Sequence, residues 1–259
     1  VIRARIAAEH EAARSRREAN PEPEPQSARV GSRCPICFED WDVNHPSMFR
    51  PCCCRAVCRS CTLKISNDPC PLCRTNLAAW SDAEQLASIR RHVENDVPEA
   101  ILELGTAYRD GAFGLVKSGK KAVKIWKRAV ELGDVHALVH LGVAYNNGLG
   151  VKVDKKKAQQ FYRMAADRGN AQAQCNLGMM LLKQWSDESV EEGVSILRKS
   201  AAQGLTYAEN FLGGFLALSD DENYRIEGMR LLKRAAAKGH EGAKEMLRSG
   251  LREMRAMVI

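Results

Sequence analysis

Residues 133–169 read GDVHALVHLGVAYNNGLGVKVDKKKAQQFYRMAADRG, and this stretch decides the fold because the chain repeats its pattern. An alanine followed four residues later by a leucine recurs five times, with steps of 37, 36, 35 and 35 residues. A glycine or an aspartate lies four residues before each of these alanines. A period of this length is typical of stacked helix pairs. The aligned alanines are Ala100, Ala137, Ala173, Ala208 and Ala243.

Each copy of the repeat contains two helical patterns of apolar residues. In four copies a glycine follows the leucine of the first pattern, at Gly105, Gly142, Gly178 and Gly213. Glycine within a helix costs about 1 kcal/mol relative to alanine, so its recurrence predicts close approach of the second helix. A later apolar series, Trp126, Tyr162, Leu197 and Leu232, marks that second helix. The glycine or aspartate before each alanine is expected to end the preceding helix in a left-handed conformation.

The pattern AxxxLGxxY…GxGV…KAxxxYxxAAxxG, clearest in the second copy, is similar to the Sel-one-like repeat, a relative of the tetratricopeptide repeat. One helix pair cannot bury its own apolar face, so the copies should stack into a solenoid. We therefore expect a mainly α fold, with four helix pairs and a final capping helix over residues 97–259. Upstream, Ser81 and Glu84 form a capping box, which predicts a connecting, leading helix over 81–96. The polar outer face of the final helix would come from Arg248, Arg252 and Arg255.

Nine of the ten cysteines lie between Cys34 and Cys73. Six of them form three Cys-x-x-Cys pairs, and each pair can place two thiolates on one edge of a tetrahedral zinc ion. Four such edges make two closed sites with no open position for water or substrate, so the predicted metal is structural. The three pairs are Cys34/Cys37, Cys58/Cys61 and Cys70/Cys73.

The fourth edge must come from the run Cys52, Cys53 and Cys54, which contains one thiol more than the sites require. Spacing favours Cys52 with Cys54, because one intervening residue lets both sulfurs turn toward the same metal. The adjacent pair Cys52 and Cys53 is the alternative, and His45 is a weaker candidate outside the run.

The stretches CPIC, PCCCRAVCRSC and CPLCR resemble a RING finger of the all-cysteine kind. The resemblance implies that residues 34–76 form a small cross-brace module with two zinc ions. Related sequences often read Cys-Cys-Gly-Lys from position 52, which would make Cys54 the additional thiol. The implied ligands are Cys34, Cys37, Cys58 and Cys61 for the first zinc, and Cys70, Cys73 and two of Cys52, Cys53 and Cys54 for the second.

The same resemblance implies a RING-type ubiquitin ligase. RING fingers bind a ubiquitin-conjugating enzyme and present its thioester-linked ubiquitin. In this chain Ile36 and Pro71 match the enzyme-contacting positions. Arg74 matches the basic residue that positions ubiquitin, for which a guanidinium is suited because it bridges two carbonyl groups. The module supplies no nucleophile, so transferase activity would come from positioning alone.

Two hypotheses about function follow from these motifs. In the first, the zinc module recruits the conjugating enzyme with its ubiquitin, and the concave face of the repeats holds an unknown protein partner. In the second, the chain is a non-enzymatic, zinc-containing scaffold or adaptor. Nucleic-acid binding is disfavoured, because residues 31–80 contain only six basic against four acidic side chains.

Composition is that of a soluble protein, with 45% hydrophobic and 27% charged residues and a net charge of +7. The sequence contains no run of 18 apolar residues, which a membrane-spanning helix would need, so we expect no membrane partner. Residues 1–33 predict an exposed helix followed by a disordered Pro/Glu linker. Dense Cys-x-x-Cys pairs without a signal peptide favour zinc in a reducing compartment, cytoplasmic or nuclear.

Isolated reactive side chains in the repeats have ordinary explanations. We expect His136, His140 and His240, at the repeat junctions, to be solvated or paired with the backbone. Cys175 falls inside a predicted helix and should be a small core hydrophobe.

We predict two structural zinc ions per chain. Cys34→Ser or Cys73→Ser should unfold the zinc module, because metal binding supplies roughly 10 kcal/mol or more of folding free energy per site. Metal analysis of the reduced, folded chain measures this, and one zinc or none would contradict it. Of Cys52, Cys53 and Cys54, one should accept serine without loss of metal.

Overall fold

The computed structural model describes residues 80–248, together with the backbone of two short strands at 48–50 and 55–57. Apart from those strands, the helix and linker predicted at 1–33 and the zinc module predicted at 34–76 lie outside the described residues.

The two strands form an antiparallel pair that the sequence analysis did not anticipate. Strand β1 is Met48–Arg50 and strand β2 is Arg55–Val57. Met48 lies opposite Val57, and Arg50 lies opposite Arg55. In sequence, the three candidate ligands Cys52 to Cys54 come between the strands.

Residues 80–248 form ten helices, and each helix packs against the next one along the chain. One leading helix is followed by four helix pairs and a last helix, as the repeat pattern predicts. The helices are α1 Asp82–Glu94, α2 Pro98–Asp110, α3 Gly119–Glu131, α4 Val135–Asn147, α5 Lys155–Ala166, α6 Ala171–Leu182, α7 Asp187–Ala202, α8 Thr206–Ala217, α9 Glu222–Ala237 and α10 Glu241–Arg248.

The leading helix α1 begins where the sequence predicts. The Ser81 side chain accepts a hydrogen bond from the Glu84 backbone, and the Glu84 carboxylate accepts one from the Ser81 backbone N–H at 2.7 Å. Leu86 and Ile89 are buried and pack against Leu104 of the first pair. The helix therefore covers the first pair as a half-unit of the solenoid.

The chain reverses at the same point in every copy. The residue four places before each aligned alanine has a positive φ, which is 55° at Asp96 and between 82° and 90° at the glycines. This left-handed residue ends the preceding second helix, as predicted. Asp134 and Asn170 then cap the next first helix, accepting hydrogen bonds from Ala137 N–H at 2.6 Å and Ala173 N–H at 2.9 Å. The four glycines are Gly133, Gly169, Gly204 and Gly239.

The Leu-Gly glycines are required by packing, which confirms the predicted close approach. A methyl group added at Gly105 would lie 2.5 Å from Cδ1 of Trp126, and one at Gly142 would lie 2.5 Å from Cε1 of Tyr162. Both distances are shorter than carbon atoms tolerate. The later apolar series of each copy is thus the set of side chains that lie on these glycines.

The third and fourth pairs reach the same contact with a smaller side chain. A methyl group at Gly178 would lie 2.6 Å from Cγ of Leu197, and that helix carries a glycine of its own, Gly193. A methyl group at Gly193 would meet the backbone oxygen of Gly178 at 3.0 Å. Leucine replaces the aromatic ring where glycine on both helices brings the two backbones closer together.

The last described helix, α10, repeats the first-helix pattern without its glycine. Ala243 is fully buried, and Arg248 lies 3.9 Å from Glu245 on the surface. Arg252 and Arg255, predicted for the same polar face, lie outside the described residues. Between residues 80 and 248, no helix is long and apolar enough to cross a membrane.

We predict that Gly142→Ala lowers the free energy of unfolding by about 1–3 kcal/mol despite the higher helix propensity of alanine. The physical reason is overlap of the new methyl group with the Tyr162 ring. Urea unfolding of the full chain, followed by circular dichroism, measures the change.

The matched control is Gly242→Ala on α10. Gly242 is exposed, and a methyl group added there would come no closer than 3.2 Å to another atom, Cε1 of His240. This variant should change stability by less than about 1 kcal/mol. A stabilised Gly142→Ala variant would contradict the packing explanation.

Candidate protein-binding surface

The first helices of the repeats present two aligned rows of side chains that are exposed or half-buried. The first row consists of the residue immediately before each aligned alanine, and the second row consists of the residue three places after it. The two positions are four residues apart, so they lie on the same face of the helix. We call this surface the first-helix face. Its members are Glu99, His136, Gln172 and Tyr207 in the first row, and Glu103, His140, Asn176 and Phe211 in the second.

The first-helix face is charged over the first two repeats. Arg109, at the end of α2, forms a 2.6 Å ion pair with Asp110. Another nitrogen of its guanidinium lies 3.4 Å from Nδ1 of His140 on α4. This contact joins two successive first helices by polar groups on the surface.

Partial burial perturbs the acidic and basic groups of this charged part. Burial, together with the nearby Arg109 charge, lowers the pKa of His140 to about 4. Burial raises the pKa of Glu103, although Arg109 opposes the shift. Neither group is fully solvated in the free chain. The free energy of removing the remaining water on partner binding is therefore smaller than it would be for a fully hydrated charge.

His140 corrects one sequence-based expectation. Its ring is only partly solvated and contacts side chains: it lies near Arg109 and is stacked on Trp126, with ring centres 4.9 Å apart and planes 17° apart. Both residues stand at fixed positions of the repeat, but the sequence does not show that their rings meet. For His240 the expectation is confirmed, because its Nδ1 accepts the Ala243 N–H at 3.2 Å.

The first-helix face is polar over the third repeat, at Gln172 and Asn176, and aromatic over the fourth. Met179, Phe211 and Phe215 are half-buried and rest on the core. Tyr207 is 45% exposed, and its ring lies 6.3 Å from that of His240. Half-buried rings of this kind are suited to anchor a protein partner, because they supply apolar area with little loss of conformational freedom.

The cysteine of the described repeats is a core residue. The Cys175 thiol is fully buried, and burial raises its pKa to about 12. This confirms that it is a core residue, since a thiolate does not form there. Within residues 80–248 no three His, Cys, Asp or Glu side chains are grouped to hold a metal ion.

The residues predicted for zinc and for the conjugating enzyme remain predictions, because they lie outside the described residues. They are Cys34, Cys37, Cys52, Cys53, Cys54, Cys58, Cys61, Cys70 and Cys73 for zinc, and Ile36, Pro71 and Arg74 for the enzyme and ubiquitin.

We predict that His140 makes the repeats less stable as the pH falls from about 6.5 to about 4. The pKa of this group is lower in the folded than in the unfolded chain, so the unfolded chain binds the proton more readily and gains stability in that window. His140→Gln should reduce the loss by an amount on the order of 1–2 kcal/mol. Arg109, Asp110 and His136 are the charged and titratable groups around the ring.

Urea unfolding at several pH values measures this effect. The control is Gln172→Ala, which carries no titratable group and stands at the corresponding exposed position of α6, and it should keep the pH dependence of the wild type. Equal pH dependence of the wild type and His140→Gln would contradict the assignment.

Curated relatives share parts of the repeat region. An F-box protein of Arabidopsis thaliana is 29% identical over 109 residues, which cover 42% of this chain and 30% of the relative. The ERAD-associated E3 ubiquitin-protein ligase component HRD3A, from the same organism, is 36% identical over 84 residues, covering 28% of this chain and 12% of the relative. The chain therefore spans less than a third of the length of either protein.

Solved structures show the same fold. A protective antigen of uropathogenic Escherichia coli with an SLR fold has a TM-score of 0.58 at 24% identity, covering 63% of this chain and 35% of the antigen. A Sel1 repeat protein from Oxalobacter formigenes has a TM-score of 0.54 at 23% identity, covering 62% of this chain and 67% of the other.

The Sel1 repeat model matches four consecutive segments, at residues 98–134, 135–170, 171–205 and 207–240. These segments coincide with the four helix pairs and make up more than half of the 259 residues. The chain belongs to the Sel1 repeat family.

Proposed function

We propose that the chain is a RING-type ubiquitin ligase in which the repeats hold a protein partner and the cysteine-rich module recruits a ubiquitin-conjugating enzyme. The proposal rests on the cysteine spacing of residues 34–73, which occurs in the same chain as a domain of Sel1 repeats.

The binding half of the proposal rests on the repeats. Sel1 repeats serve protein–protein interaction. In this chain the first-helix face has charged groups around Arg109 and half-buried rings around Phe211. A partner segment lying along the face would gain apolar contact at one end and directional polar contacts at the other. Such a division favours one orientation of the bound segment.

The ligase half of the proposal rests on residues 34–74. Three Cys-x-x-Cys pairs and the adjacent thiol run supply enough ligands for two zinc ions. Ile36, Pro71 and Arg74 stand at the positions by which the resemblance implies binding of the enzyme and ubiquitin. One relative of the repeat region is named as a component of an E3 ubiquitin-protein ligase, and another as an F-box protein. Both names are compatible with repeats that work beside ubiquitin transfer.

We predict different defects for Ile36→Ala and Arg74→Ala. Ile36→Ala should weaken binding of the conjugating enzyme by about 1–3 kcal/mol, because it removes an apolar contact at the interface. Arg74→Ala should leave that binding nearly unchanged and slow discharge of ubiquitin, since its contacts form only with the thioester-linked ubiquitin. Single-turnover discharge from a panel of conjugating enzymes, with the full chain, measures both.

The matched control for this assay is Trp185→Ala, which removes a 69% exposed ring outside the first-helix face and should leave discharge unchanged. All three variants should retain two zinc ions. If the wild type discharges no conjugating enzyme, or if both module variants discharge as fast as the wild type, the chain is a non-enzymatic scaffold.

A further inference from the structure

Two ion pairs form a ladder that joins the second helices of the second, third and fourth repeats. Arg163 on α5 lies 2.5 Å from Glu192 on α7. Arg198 on α7 binds Glu227 on α9 through two hydrogen bonds, of 2.9 and 2.7 Å. In both pairs the arginine directly follows the residue that packs on the Leu-Gly glycine. The helices α5 and α7 therefore each pair an arginine with a glutamate of the following second helix, whereas the matching positions of α3 and α5 are two lysines, Lys127 and Lys157.

Apolar contacts accompany the ladder. Val190 and Val194 of α7 belong to the same core cluster as Tyr224 and Leu231 of α9. The Arg198 guanidinium also lies 5.6 Å from the centre of the Tyr224 ring. The forward side of α7, toward α9, thus includes the residues seven and three places before the glycine-packing Leu197 and the residue one place after it.

The same three positions on α9 are Arg225, Met229 and Lys233. They line an open pocket of about 520 Å³. Ile226 beside them is 51% exposed. Lys233 occupies the place of Arg163 and Arg198 but forms no ion pair with any residue of 80–248. We call this pocket the α9 outer face; its lining residues are Ala217, Glu222, Arg225, Ile226, Met229, Arg230 and Lys233.

Charge decides which kind of partner fits the α9 outer face. Its lining contains three cations and one carboxylate. Two copies of the chain meeting through this face would set Arg225, Arg230 and Lys233 against the same cations, which disfavours self-association. Three of the seven lining residues, Ala217, Ile226 and Met229, are apolar, and the lining has no aromatic ring on which a base could stack. These features favour an acidic, amphipathic protein segment over a nucleic acid.

We propose that the α9 outer face binds an amphipathic, acidic helix of a protein partner, which sets a glutamate against Lys233 and apolar side chains against Ile226 and Met229. The bound helix would continue the ladder that already joins α5, α7 and α9. This surface is separate from the first-helix face, because it is formed by the second helix of the last pair.

A segment of the chain itself provides a probe. A labelled peptide of residues 186–202 contains α7, which already presents Glu192 to Arg163, and it carries four acidic and two basic side chains. Fluorescence anisotropy with the full chain should show saturable binding. Because an isolated peptide of this length is only marginally helical, the affinity should be weak.

Matched variants test the chemistry of the contact. Lys233→Glu should weaken binding of the peptide about tenfold, because attraction becomes repulsion. Ile226→Asp should have a similar effect by placing a charge among the apolar lining residues. The Glu192→Gln peptide should bind the wild type more weakly, and its residual binding should respond little to Lys233→Glu. The control Lys124→Glu, an equal charge change at an exposed site on α3, should bind as the wild type does.

Three results would overturn the proposal. The first is absence of saturable binding to the wild type. The second is equal binding by Lys233→Glu, or an equal loss with Lys124→Glu, since either places the peptide elsewhere. The third is a pair of observations: a short poly(dT) oligonucleotide displaces the peptide, and the Glu192→Gln peptide binds as tightly as the original one. Together they would show that the face responds to negative charge alone.

Discussion

The close approach of two helices within each repeat is the constraint on which the solenoid depends. At the glycine of the first helix, the second helix packs Trp126 or Tyr162 directly against the backbone of the first. This contact sets the separation of the pair and turns the remaining apolar residues toward the neighbouring repeats. The third and fourth pairs keep the contact with leucine by adding Gly193 and Gly228 to the second helix. The repeats therefore vary in side chains while one geometric requirement is met in each.

Stacking follows from this geometry, because a helix pair held so closely still exposes apolar surface on both sides. The core clusters draw residues from successive copies; Ile101, Trp126 and Leu141, for example, lie in one cluster. At the start, α1 covers the first pair with Leu86 and Ile89. At the other end, the forward side of α9 keeps an open pocket. The two ends of the described solenoid thus differ in what they leave for a partner.

Two kinds of surface arise from one helix pair. The first helices carry side chains that vary from charged to aromatic along the stack, which suits recognition of a particular partner segment. The second helices carry the arginine–glutamate ladder, whose exposed pairs contribute little stability individually but align neighbouring repeats. Glu209 shows the costlier form of such pairing, since its carboxylate is fully buried and is bound by Arg234 and Lys238. Removing either of its basic partners would leave a buried carboxylate poorly compensated and would destabilise the fourth repeat.

The sequence by itself determined the number of helix pairs, the leading helix and the residues that end each helix. These features are local: a capping box at Ser81 or a left-handed glycine after a second helix depends on the few residues around it. It also predicted that the Leu-Gly glycines face a close neighbour, because their cost within a helix needs compensation. Only the tertiary structure decided which atoms meet. The stacking of His140 on Trp126, the ion pair of Arg198 with Glu227 and the open side of α9 join residues from different helices, and a linear pattern states their positions but not the separation and rotation of the helices that carry them.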